Sequence, residues 1–131
     1  MGTTSNGERK INILVVDDEP LVADSLAQVL NMVGFNASSR CSGFQAIEQA
    51  SAAPFEVLIS DVVMEGMTGI DAAIEIRQLL PNCKVLLVSG NNRTGDLLKD
   101  AFQRGHNFDI LPKPVHPTVI IDRLKSMTDL N

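Results

Sequence analysis

A doubly wound α/β domain, a five-stranded parallel sheet with helices on both faces, is the fold this sequence predicts. Three observations point to it. Short apolar runs alternate, five times over, with stretches whose apolar residues recur every three or four positions. The runs are rich in Val, Ile and Leu, as strands covered on both faces should be. The connections between them suit only a parallel sheet, and right-handed crossovers then distribute the helices to both faces.

Residues 11–16 (INILVV) form the first strand, and Asp17-Asp18-Glu19-Pro20 stops it. Pro20 suits the first turn of a helix, whose apolar face is Val22, Leu26, Val29, Leu30 and Val33, with Gly34 as its C-terminal cap. Residues 35–41 are a weaker strand, polar at Ser38, Ser39 and Arg40, as an edge strand would be. Ser42-Gly43-Phe44-Gln45 has the pattern of a capping box, opening a helix with Phe44, Ala46, Ile47 and Ala50 inward. After Pro54, residues 55–60 are the central strand, running into Asp61.

Gly66 and Gly69 punctuate a loop, and Thr68 with Asp71 marks the next helix start. Ile70, Ala73, Ile74, Ile76 and Leu80 give this helix its buried face before Pro81-Asn82 breaks it. Residues 84–88 are the fourth strand and 89–92 a turn. Thr94-Gly95-Asp96 leads into a helix with Leu97, Leu98, Ala101 and Phe102, closed by Gly105. Residues 108–111 are the last strand. Pro117 opens a final helix with Val119, Ile120, Ile121, Leu124 and Met127 as its apolar positions, capped by His116.

Composition narrows the function classes. At 131 residues, 44% of them hydrophobic, the chain fits one globular domain. We read residues 1–10 as a loose polar leader, 11–128 as the domain and 129–131 as a tail, with no output domain following. The apolar runs are too short to span a bilayer, and no secretory leader is evident. A net charge of −5 without a basic cluster argues against a nucleic-acid surface. Cys41 and Cys83 match no metal or redox spacing and read as reduced structural thiols in a cytoplasmic protein.

The chemistry lies where the strands end. The first ends on Asp17-Asp18, the third on Asp61, the fourth on Ser89, and the fifth leads through Pro112 to Lys113. In open α/β sheets that edge is where ligands bind. Three carboxylates against one ammonium leave two uncompensated negative charges, which a divalent cation would balance. Oxygen-only ligands favour Mg²⁺ over zinc or copper. A carboxylate can also act as a nucleophile toward phosphorus, with cations and donors on the equatorial oxygens of the transferring group. Taken singly these residues are bland: an aspartate after a strand is usually a cap, a lone lysine a solvated side chain, a lone serine a turn hydroxyl. Their joint placement is what points to phosphoryl chemistry.

On these residues the chain resembles the response-regulator receiver domains of bacterial two-component signalling. The resemblance runs from Ile11 to Met127 and is carried by LVVDDEP, LISDVVMEGMTG, LLVSG and LPKP, in order and at fitting spacings. It implies a flavodoxin-like fold of strand order 2-1-3-4-5. It implies that Asp61 accepts a phosphoryl group from the phosphohistidine of a sensor histidine kinase or histidine phosphotransfer protein. Asp18 would ligate Mg²⁺ directly and Asp17 through water, with Asp61 and the Val63 carbonyl completing the protein ligands. Ser89 would be the switch hydroxyl, Lys113 would bridge Asp61 and later the phosphoryl oxygens, and Lys113–Pro114 would be cis. Val63 and Asn91 would tune loss of the phosphoryl group, with apolar Val63 making the phosphorylated form long-lived. The switching surface would comprise the fourth strand, fourth helix and fifth strand, read by a downstream protein, in a monomer or weak dimer with no membrane contact.

The chain departs from the family pattern in three places. Ile110 stands where an aromatic switch residue is usual, with Phe108 two positions off register. Glu65 replaces a frequent proline and adds charge near the site. The span from Ser89 to Lys113 is a little long, with His106-Asn107 as the insertion. Neither His106 nor His116 sits in the exposed mid-helix setting of a phosphodonor. Two other functions compete. A metal-dependent phosphatase would want a second aspartate where Val63 stands, and a flavin module would want a Gly- and hydroxyl-rich loop where Asp17-Asp18-Glu19 would repel phosphate. A receiver cut from a larger kinase or transcription factor is a variant of the main reading.

Overall fold

The computed structural model describes residues 10–90 and 94–128; residues 1–9 of the leader, residues 91–93 (with Asn91 and Asn92 of the expected turn) and the tail lie outside the described residues. Ten elements alternate: β1 (Asn12–Val16), α1 (Pro20–Met32), β2 (Asn36–Arg40), α2 (Gly43–Ala52), β3 (Val57–Asp61), α3 (Gly69–Leu79), β4 (Lys84–Ser89), α4 (Thr94–Gln103), β5 (Asp109–Pro112) and α5 (Pro117–Met127). All strand pairs are parallel, in the order β2-β1-β3-β4-β5. This is the flavodoxin-like order, with β3 central and polar β2 on an edge. No described helix is long and apolar enough to cross a membrane.

Alternation along the strands feeds two cores. Leu14, Val16, Leu58, Val85 and Leu87 point toward α2, α3 and α4, meeting Ala46, Ala50, Ile70, Ala73, Ile76 and Ala101. Ile13, Val15, Val57, Ile59, Leu86 and Val88 point the other way, onto Ala23, Ala27 and Leu30 of α1 and Ile120 and Leu124 of α5. Successive strand residues face opposite sides, so a strand covered twice must be apolar throughout.

The helix ends follow local chemistry. Ser42 Oγ accepts from the Gln45 N–H (3.1 Å) and Gln45 Oε1 accepts from the Cys41 N–H (2.9 Å), a capping box displaced by one residue. Thr68 Oγ1 accepts from the Asp71 N–H (3.0 Å), and His116 Nδ1 accepts from the Thr118 N–H (3.2 Å). Gly34, at φ +105°, ends α1 with the Phe35 N–H donating back to the Leu30 carbonyl (3.1 Å).

The helix faces differ from expectation in a consistent way. Val22 of α1 and Val33, just beyond its end, are exposed, and the buried stripe is Ala23, Ala27 and Leu30. Phe44, Phe102 and Val119, expected inward, are exposed too, while Ala46, Ala50 and Ala101 are buried. Small side chains bring the helices close to the sheet, so alanines take the contact and larger apolar neighbours are rotated outward. Leu80 falls just beyond α3, as its half-buried cap. Cys83 is a buried free thiol, and burial pushes its pKa up to about 11 despite the Arg77 guanidinium nearby; half-buried Cys41 is also free.

A candidate phosphoryl-transfer site at the carboxyl edge

Each site residue is held by the strand it ends. Register pairs Val16 with Ser60, Asp61 with Val88 and Ser89 with Pro112. The carboxyl ends of β1, β3, β4 and β5 therefore finish side by side. The Lys113 N–H continues the ladder onto the Ser89 carbonyl (2.9 Å). The Lys113–Pro114 peptide is cis.

Asp17, Asp18 and Asp61 each bring a carboxylate oxygen within 4.8 Å of the others. Asp17 is buried and its Oδ1 accepts from the Glu19 N–H (2.9 Å). Exposed Asp18 accepts through Oδ2 from the Glu65 N–H (3.3 Å). The Lys113 ammonium lies 3.2 Å from Asp61 Oδ2 and 3.8 Å from Asp17 Oδ2. Burial raises the Asp61 carboxyl above its ordinary pKa of 3.8. The Lys113 charge and hydrogen bond oppose that, Asp17 adds to it, and the Val63 N–H bonds the carboxylate form. The donor set is hard oxygen throughout and opens to solvent on the Asp18 side, which fits a small hard cation keeping some of its water.

Ser89 is buried at the end of β4. Val63 is exposed beside Asp61, as is Glu65. Ile110 is half-buried and packs on the same core as Leu97 and Leu98 of α4. Phe108 is elsewhere: it precedes β5, is buried, and lies under the Arg77 guanidinium, 4.8 Å from its ring centroid, with His106 stacked at 6.1 Å. Asn91 lies outside the described residues.

Two residues that support the site have no obvious sequence signature. A β carbon at Gly69 would lie 2.1 Å from the Asp61 carbonyl oxygen and 2.8 Å from Ser60 Oγ. Only glycine lets α3 start against the strand end that carries Asp61. Ser60 is buried, and its hydroxyl donates to the Asp61 carbonyl (2.9 Å). A hydroxyl inside an otherwise apolar strand was the available hint, because a buried hydroxyl needs a partner.

From this pocket a groove of about 590 Å³ runs between α1 and α5, lined by Leu21, Val22, Leu26, Val115, Pro117 and Ile120 among others. Its far wall is apolar, while Asp17, Asp61 and Lys113 stand at its mouth.

A doubly wound domain with a carboxylate triad and one lysine at its carboxyl edge is thus defined by fold and site together. The chain belongs to the response regulator receiver domain family, whose model matches residues 13–125. It is 28% identical over 117 residues to TcrX, a probable transcriptional regulatory protein of Mycobacterium tuberculosis, covering 89% of this chain and 49% of TcrX. The chain thus spans about half the length of that relative. It is 26% identical to the chemotaxis protein CheY of Thermotoga maritima, covering 88% of this chain and 96% of CheY. A CheY-like receiver domain from Methanospirillum hungatei superposes with a TM-score of 0.83 over 92% of this chain and 95% of its own, at 21% identity, a likeness of fold.

Two predictions follow from this geometry. Gly69→Ala should cost about 1–3 kcal/mol, as overpacking does, and should lower the melting temperature by several degrees, because backbone must move. A melting temperature within one degree of wild type contradicts that contact. The second concerns Asp61. Its raised pKa means the metal-free native state binds a proton more tightly than the unfolded chain. Its stabilising contribution is therefore full below the unfolded pKa and lost as pH rises through the folded value. Asp61→Asn should raise the melting temperature of the metal-free protein at pH 7, with the gap closing as pH falls toward the ordinary carboxylate range. A difference that does not change with pH contradicts this.

Proposed function

We propose that Asp61 accepts a phosphoryl group from the phosphohistidine of a sensor histidine kinase or a histidine phosphotransfer protein. The observation that carries this is one arrangement. A lysine ammonium lies 3.2 Å from a half-buried, central-strand carboxylate that has two further carboxylates within 4.8 Å. Membership of the receiver family supports it.

In this reading an Asp61 carboxylate oxygen attacks phosphorus, the phosphorus–nitrogen bond of the donor breaks with its electron pair going to nitrogen, and the donor ring, already protonated on its other nitrogen, leaves as neutral imidazole. The product is an acyl phosphate. Asp18, Asp61 and the Val63 carbonyl would hold Mg²⁺, with Asp17 helping through water, and the cation would supply charge neutralisation for the phosphoryl oxygens. Lys113 binds an equatorial oxygen, trading its contact with Asp61 for one with the new group. Ser89 hydrogen-bonds another and draws the end of β4 toward the site. Ile110 transmits that movement to α4 by packing, as no aromatic ring occupies its position. The donor docks over the apolar groove beside α1, whose mouth is the pocket. The protein works in the bacterial cytoplasm as a switch for a downstream partner. Val63, apolar and exposed, leaves the attacking water without a hydrogen-bond partner, so the acyl phosphate is long-lived.

Intact-mass spectrometry after incubation with Mg²⁺ and acetyl phosphate should show a gain of one phosphoryl group in the wild type and none in Asp61→Asn. No adduct on a folded, Mg²⁺-binding wild type contradicts autophosphorylation from this donor, and donor turnover without adduct favours a phosphatase. Val63→Asn should lose the group several-fold faster on the same readout; equal lifetimes remove the role given to Val63.

A further inference from the structure

An exposed aromatic residue stands next to the site without any part in the chemistry above. Phe44, the second residue of α2, leaves 58% of its surface in water, unlike the buried Ala46 and Ala50 of the same helix. Its ring lies on the loop that joins β3 to α3. A β carbon at Gly66 would be 3.2 Å from Phe44 Cε2, and Gly66 turns the loop at φ +85°. The adjacent pair is reciprocal, since a β carbon at Gly43 would be 2.9 Å from Met67 Sδ. Two consecutive residues of α2 thus meet two consecutive loop residues, each time a bare glycine backbone against a large side chain.

The loop carries what the carboxylates need. The Glu65 N–H, one residue before Gly66, donates to Asp18 Oδ2 (3.3 Å), and the Val63 N–H bonds the Asp61 carboxylate. Backbone hydrogen bonds anchor the loop at its two ends, from the Val62 N–H to the Val88 carbonyl (3.1 Å) and from the Gly69 N–H to the Val62 carbonyl (2.8 Å). Its middle, at Gly66 and Met67, rests on α2. A contact there sets where the Glu65 amide points, and so where exposed Asp18 is held relative to Asp17 and Asp61.

We propose that Phe44 is a positioning residue: its ring clamps Gly66 and thereby keeps the Glu65 amide on Asp18, preparing the carboxylate cluster for its cation. The clamp stands on the geometry alone; its consequence for Mg²⁺ rests on the function proposed above.

The test compares wild type, Phe44→Ala and Phe44→Leu for melting temperature, amide exchange at Glu65 in the metal-free protein, and Mg²⁺ affinity by titration. Because the ring is largely exposed, Phe44→Ala should melt within a few degrees of wild type. Its Glu65 amide should exchange about tenfold faster and its Mg²⁺ affinity should fall about tenfold. Phe44→Leu, retaining apolar bulk over Gly66, should recover most of both, and gives the same reading by degrees should the alanine variant unfold. Unchanged Glu65 exchange and Mg²⁺ affinity in Phe44→Ala overturn the proposal. Faster Glu65 exchange in a protein whose wild type binds no Mg²⁺ upholds the clamp and overturns the metal reading it serves.

Discussion

Three carboxylates crowd at the carboxyl edge of the sheet, two of them sharing one lysine, and much of the surrounding structure serves that crowding. Asp17 is buried and Asp61 nearly so, with the Lys113 ammonium between them at 3.8 and 3.2 Å. One positive charge cannot balance three negative ones in a partly desolvated pocket. Burial, with the Asp17 charge adding to it, raises the pKa of Asp61 despite the opposing Lys113 ammonium. A proton or a small hard cation would relieve the crowding, and the all-oxygen donor set suits the cation. In the function proposed above, a phosphoryl group would add negative charge, and the same pocket would use the cation and Lys113 a second time.

Holding like charges together requires rigid placement, and here it comes from backbone more than from side chains. The parallel register finishes four strands at one edge, and the ladder continues past the strands through the Lys113 N–H. Behind Asp61, Gly69 removes a β carbon that its carbonyl could not accommodate, and Ser60 bonds that same carbonyl. Gly90 does a similar service for Lys113, whose Cβ would lie 3.3 Å from a β carbon there. On the solvent side, main-chain N–H groups of Glu19 and Glu65 fix Asp17 and Asp18. The small residues of this edge set how close the charged ones come.

The strands and the chemistry they carry were legible in the sequence for one reason. A strand buried on both faces must be apolar from end to end, so the first polar residue marks its carboxyl end. Asp17, Asp61, Ser89 and Lys113 are those residues or their immediate neighbours. Helix faces were less legible. Val22, Val33, Phe44, Phe102 and Val119 carry a stronger apolar signal than Ala23, Ala27, Ala46 and Ala101, yet the alanines make the contact. Close approach rewards small size, which a hydrophobic period does not register. Gly69 was illegible for a related reason: its role is the absence of an atom, and what that space contains depends on a strand end eight residues earlier. The clamp of Phe44 on Gly66 joins α2 to a loop beyond β3, so no local pattern announces it.

The most direct measurement of the charge imbalance is the melting temperature with and without millimolar Mg²⁺, in wild type and in Asp18→Asn. A cation at about a hundred times its dissociation constant stabilises the native state by about 2.7 kcal/mol. Wild type should therefore gain several degrees and Asp18→Asn little or nothing. Equal melting temperatures with and without Mg²⁺ in the wild type, or an equal gain in both proteins, would contradict the pocket as a cation site.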